Sequence, residues 1–276
     1  MNTSYISYLQ SAKKSQRTID TYTDYVNKMS AFINKPDEEI KTVDLMNWQA
    51  SISHLSSATV HLEVSAIKSY FKFLKKIGVR NDNPALELET PSVKSKEKPY
   101  MNCNDIRAMV NASRTARDKA IILTFCTTGL RVSELSNITL KDYEQAKITR
   151  EIAITGKGSK HRTIFLNDET MSTIDDYLVT RNDNCPYLFT TFRRTQLDGC
   201  ALSQTMKTTA KRAGLPYWRE VSNHSMRAAF ATSQSEIGTP VADIQAGLGH
   251  SSLSVTSRYI KHSQARINNM MAQSAF

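Results

Sequence analysis

Residues 148–166, ITREIAITGKGSKHRTIFL, break a pattern that is helical almost everywhere else in the chain. Ile148–Thr155 and Arg162–Leu166 alternate in polarity and are rich in β-branched side chains, with GKGSKH between them. Two such runs joined by a glycine-bearing connection predict a β-hairpin with a glycine-rich tip. On both sides the apolar period returns to 3.6. Ile106, Met109 and Val110, then Ala120–Thr127 up to Gly129, read as helices. So do Ser203–Ala213, Ser225–Glu236 and Pro240–Ala246, and a last helix is expected over Leu253–His262. The fold class is therefore mainly α with a small β-hairpin or sheet, an α+β arrangement.

Further upstream the pattern is helical alone. Ile19, Tyr22, Val26, Met29 and Ile33 step by three and four, opened by Ser15 or Thr18. Leu45, Trp48, Ile52 and Leu55 repeat the spacing. In the third helix Val60, Val64, Ile67, Phe71 and Leu74 form the buried stripe, with Ser57 as the cap and Gly78 as the stop. Beside that stripe Lys68, Lys72 and Lys75 make a row of ammonium groups, which serves either a phosphate backbone or a solvated face. Asn81–Lys98 has two prolines, mixed charge and no period, and reads as an extended linker. The resulting division is a helical domain over 1–90, a linker over 91–97 and a mixed domain over 98–276.

Thirty-six Lys and Arg against 26 Asp and Glu give a formal charge of +10, which favours a polyanionic partner. Residues 200–276 hold eight of the cations and three of the acids, so that quarter of the chain is expected nearest the polyanion. The four cysteines lack C-x-x-C spacing and support neither a zinc site nor a disulfide framework. MNTSYISYLQSAKKSQ has no apolar signal-peptide core, and no apolar run is long enough for a bilayer. A cytoplasmic protein without membrane attachment is expected.

Four short segments carry chemistry. In TGLRVSEL, Arg131 follows a glycine break and Glu134 stands three residues on, suited to fixing a guanidinium. Lys157 sits on the hairpin tip, whose glycines permit close approach of backbone to a ligand. His224 and Arg227 share a face at a helix start, where anions are favoured. His250 lies in LGHSS, and Tyr259 follows nine residues later. The two histidines lack the companions of a metal site, so no metal is assigned. Two arginines, two histidines, a lysine and a tyrosine are the parts for attack on a phosphodiester without a metal. Bidentate arginines match the charge of a phosphorane, and a lysine or histidine protonates the leaving oxygen.

TTGLRVSEL, ITGKGSKHR, HSMRAAFAT and LGHSSLSVTSRY resemble, in order and spacing, the motifs of the tyrosine recombinase (phage-integrase) family. SQRTIDTYTDYVNKMSAF and SATVHLEVSAIKSYFKFL are similar to its helical core-binding domain, so the resemblance covers nearly the whole chain. It implies a core-binding domain followed by a catalytic domain, clamped around double-stranded DNA. It implies that Arg131 and Arg227 hold the scissile phosphate, Lys157 protonates the leaving 5′ oxygen, and His224 assists proton transfer. His250 would bond the phosphate, Tyr259 would attack to form a 3′-phosphotyrosyl link, Glu134 would support, and Arg258 would add a phosphate contact. Met226 stands where the family usually has Leu, a swap of similar volume. No cofactor is implied. The partners implied are a homotetramer on two DNA sites, with or without a second recombinase or accessory protein. Because the match begins near the first residue, a simple Xer-like or mobile-element type is expected. The rival readings are a type IB topoisomerase and a DNA-binding protein that does not cut.

Overall fold

In the computed structural model the described residues are 2–93, 101–156 and 161–249. The chain divides into two compact units, Met1–Lys96 and Glu97–Phe276.

The first unit is built from α1 (Asn2–Ser11), α2 (Gln16–Ile33), α3 (Thr42–Ser51) and α4 (Ser57–Lys76). Ser15 caps α2 by accepting from the Thr18 N–H, and Ser56 caps α4 by accepting from the Thr59 N–H. The α4 cap is thus one residue before the expected Ser57, because an N-cap side chain must reach the third helical N–H. The periodic residues Ile19, Val26, Met29, Leu45, Trp48, Val60, Val64, Ile67, Phe71 and Leu74 are all buried in one cluster. Burial of such a stripe, more than intrinsic propensity, stabilises helices of this length. An unpredicted helix joins them: α1 buries Tyr5 and Leu9, with the Tyr5 ring edge-on to Tyr70 at 5.0 Å.

The expected linker Asn81–Lys98 begins too early. Ala85 and Leu88 are buried in the same core, and Gln49 donates to the Glu89 carbonyl at 2.6 Å. Two apolar side chains in a polar segment suffice to lay it onto the unit. The α4 helix also buries a carboxylate, Glu63, which is 5% exposed. Burial raises its pKa; Lys28 lowers it less, and Asp24 adds a further rise.

The second unit contains α5 (Cys103–Asn111), α6 (Ala116–Thr128), α7 (Val132–Asn137) and α8 (Leu140–Thr149). Strands β1 (Glu151–Thr155) and β2 (His161–Phe165) follow, then α9 (Asp168–Val179), α10 (Gly199–Arg212), α11 (Asn223–Glu236) and α12 (Val241–Leu248). The strands pair antiparallel with Ile152 opposite Ile164 and Ile154 opposite Arg162. The hairpin is shorter than expected at its start. Ile148 and Thr149 belong to α8, and Arg150 closes that helix with φ 65°, its N–H donating to the Ala146 carbonyl at 2.7 Å. Capping by Asp198 starts α10 four residues before the expected Ser203, and Ser222 starts α11 two before Ser225. The expected helix over Leu253–His262 lies outside the described residues. Among the described residues, no helix is long and apolar enough to cross a membrane.

Candidate active site

The site grows from three helix ends. Gly129 closes α6 in the left-handed region (φ 58°), and a Cβ there would meet Phe230 Cδ1 at 2.5 Å and Leu248 Cδ2 at 2.7 Å. Only glycine fits both the dihedral and the approach of α11 and α12. The turn it makes delivers Arg131 to the N-cap of α7.

Glu134, in the first turn of α7, is a carboxylate with four donors. Its Oε1 accepts from Arg131 Nη1 and Arg162 Nη1, both at 2.8 Å. Its Oε2 accepts from the Arg131 backbone N–H at 2.6 Å and from Arg162 Nη2 at 2.8 Å. Burial pushes the carboxyl pKa up, but the bonds from Arg162 and Arg131 outweigh it and hold the group at about 2. It is therefore ionised across the physiological range and holds both guanidiniums in place.

The third helix end is the C-terminus of α12, whose last carbonyls have no partner within the helix. Three successive carbonyls are each taken by a different arginine. Arg162 Nε donates to Gly247 at 2.9 Å, Arg227 Nη2 to Leu248, and Arg131 Nη2 to Gly249 at 2.7 Å. Arg227 also donates from Nη1 to the Gly129 carbonyl, tying the ends of α6 and α12 together. Both are negative helix ends, which favour a cation. Ala231 and Phe230 on α11 pack against Ile244 and Leu248, seating α12 from its apolar side.

The structure thus brings Arg131, Glu134 and Arg227 together around one turn. His224 is exposed one helical turn before the buried Arg227, at the start of α11. Lys157, His250, Arg258 and Tyr259 lie outside the described residues, although Gly249, which directly precedes His250, is among the gripped carbonyls. In the first unit Lys72 and Lys75 are exposed, while Lys68 is half-buried and donates to Thr90 Oγ1 at 3.3 Å. Among the described residues no three His, Cys, Asp or Glu side chains gather as a metal-binding group.

The sequence reading missed Arg162. Its signal was the strand alternation, since Arg162 shares the inward face with Ile152, Ile154 and Ile164. A charged side chain on that face requires an acid, and the acid is Glu134, 28 residues away.

Comparison with known proteins matches residues 99–266 to the phage integrase family, and residues 3–78 to the phage integrase N-terminal SAM-like domain. The chain belongs to the phage integrase family. It is a site-specific DNA recombinase, an enzyme of DNA cutting and rejoining. Among its relatives, tyrosine recombinase XerA of Pyrococcus horikoshii is 33% identical over 259 residues, covering 93% of this chain and 87% of that protein. The fold is similar to that of a lambda integrase dimer bound to a COC′ core site (TM-score 0.75, 18% identity, 94% of this chain and 93% of that one). It is also similar to XerH site-specific recombinase bound to its difH substrate in a pre-cleavage complex (TM-score 0.69, 22% identity, 92% and 78%).

Proposed function

We propose that this phage integrase family member binds double-stranded DNA and exchanges strands through a covalent tyrosyl intermediate. In this reading the Tyr259 phenolic oxygen attacks the scissile phosphorus. The bond to the 5′ oxygen breaks, leaving a 3′-phosphotyrosyl ester and a free 5′-hydroxyl. Tyrosine ionises near ~10, so neighbouring cations are needed to favour the phenolate. Arg131 and Arg227 neutralise the non-bridging oxygens, with His250 as a further donor. Lys157 protonates the departing oxygen, and His224 assists proton transfer. Rejoining reverses the exchange of one phosphoester for another, so neither ATP nor a cofactor takes part.

The observation that carries the reading is the convergence of Arg131 and Arg227 on the carbonyls that immediately precede His250. The DNA-bound states of the lambda integrase and XerH structures support the partner. Lys72 and Lys75, on one exposed edge of α4, suit contacts to the DNA backbone, with Lys68 beside them and Arg258 as a contact next to the nucleophile. A homotetramer acting on two sites is the assembly we propose, and a cytoplasmic setting fits that work.

The test maps SDS-resistant protein–DNA adducts on duplex fragments of the DNA flanking the gene. Wild type is expected to form them in excess EDTA without ATP. Tyr259→Phe is expected to bind the same fragments and form none. Adducts that persist in Tyr259→Phe, or that need Mg²⁺, would overturn the assignment.

A further inference from the structure

We infer that Arg162 is a positioning residue for strand cleavage, which sets the orientation of the Arg131 guanidinium and fastens the α12 end that leads to His250. This rests on the reading of Arg131 as a phosphate ligand. One side chain makes three bonds to two elements: Nη1 and Nη2 to the two oxygens of Glu134, each at 2.8 Å, and Nε to the Gly247 carbonyl at 2.9 Å. Glu134 passes the constraint on through its bond to Arg131 Nη1, and Arg131 passes it to the Gly249 carbonyl. The turn at Gly249 runs against the same guanidinium, because a Cβ at Gly249 would sit 3.3 Å from Arg162 Nη1.

Exposure separates the two arginines. The Arg162 side chain is 11% exposed and Arg131 is 33% exposed. Of the two guanidiniums on Glu134, Arg131 is the more exposed, whereas Arg162 has committed its fork to the carboxylate and its Nε to a backbone carbonyl. Only a planar fork of donors spans both oxygens of one carboxylate while a third N–H turns to a carbonyl. Lysine supplies the charge without that geometry. With Arg162 gone, Glu134 keeps only its bonds from Arg131, and the pair is free to swing together; misplacement of a reacting group by about 1 Å costs on the order of 10²-fold in rate.

The experiment measures adduct formation and DNA binding separately, on the adduct-forming fragments, for wild type, Arg162→Ala and Arg162→Lys, with thermal melting to show that each variant folds. Arg162→Ala is expected to bind DNA within about twofold of wild type and to cleave on the order of 10²-fold more slowly. Arg162→Lys is expected to lose about tenfold, the charge being kept and the fork lost. Millimolar guanidinium chloride should restore part of the Arg162→Ala rate by refilling the space beside Glu134, and should leave wild type unchanged. Glu134 faces Arg131 from its own helix and Arg162 from β2, so the alanine variant should also lose activity at a higher pH than wild type as the solution is acidified. Wild-type cleavage by Arg162→Lys overturns the inference. So does parallel loss of binding and cleavage in Arg162→Ala without guanidinium rescue, which would make Arg162 a scaffold or a DNA contact. A wild-type chain that forms no adduct at all removes the recombinase reading itself, and this inference with it, which is a result distinct from any confined to the variants.

Discussion

Glu63 in the helical unit and Glu134 in the second unit are equally buried, each 5% exposed, yet their acidities move in opposite directions. Glu63 is buried on α4 with Lys28 and Asp24 as its charged neighbours, and loss of water raises its pKa. Glu134 also loses water, but four N–H donors from two arginines reverse the effect and bring the group to about 2. Burial sets the cost of a charge, and partners decide whether the charge survives. The helical unit is organised by apolar contact and tolerates its acid. The second unit has its own apolar core, and Glu134 ties α7, β2 and the arginines of the site together at its edge.

The sharpest way to break this contrast is to remove the carboxylates one at a time. Glu134→Ala leaves two guanidiniums without their shared anion and is expected to destabilise the protein by about 3–5 kcal/mol in chemical denaturation. Cleavage should be lost along with it, since among the described residues Glu134 is the acidic partner of Arg131. An unfolding midpoint unchanged in Glu134→Ala would show that the arginine cluster is ornament on an independently stable scaffold.

Acid titration gives the next effect. The Glu134 pKa is depressed from an ordinary 4.5 to about 2, so its contribution is present above the unfolded value and lost as pH falls through that window. The loss amounts to on the order of 3 kcal/mol. Glu63 has the opposite sign: its raised pKa favours the protonated form, so its contribution grows on acidification and is lost as pH rises through the folded value. Stability measured against pH in Glu134→Gln should fall less steeply below 4.5 than in wild type. The smallest effect belongs to Glu63→Gln. It should stay within about 1 kcal/mol of wild type at neutral pH, on the stabilising side, because it removes a desolvated charge. Marked destabilisation by that change would mean Glu63 has a role the packing does not reveal.

The same contrast explains what could be read from the chain beforehand. In the helical unit a stripe such as Val60, Val64, Ile67, Phe71 and Leu74 declares its helix locally, because burial follows the period. The stretch up to Leu88 was misread because two apolar residues in a charged segment carry no period, although they suffice to anchor it. The alternation starts the hairpin at Ile148, before its observed start at Glu151, because Arg150 closes α8 at φ 65° and nothing in its identity signals that turn. Around the site, Arg131 and Glu134 are three residues apart and readable as a pair. Arg162 is fixed by a partner on another element, and the three carbonyls it helps to hold have no side-chain signature at all. Local order is legible where physics is periodic; tertiary charge geometry is not.

A carbonyl can hold a guanidinium without neutralising it, so the three bonds to Gly247, Leu248 and Gly249 lock a backbone turn while leaving its fasteners positive. Rigidity and attraction for an anion are usually rivals, since carboxylates that immobilise an arginine also cancel its field. Here one carboxylate and four backbone carbonyls share the immobilising, so three guanidiniums are held against a single negative charge. An approaching polyanion meets a turn already shaped and still electropositive, so the preparation of the surface and its pull on the ligand come from the same atoms.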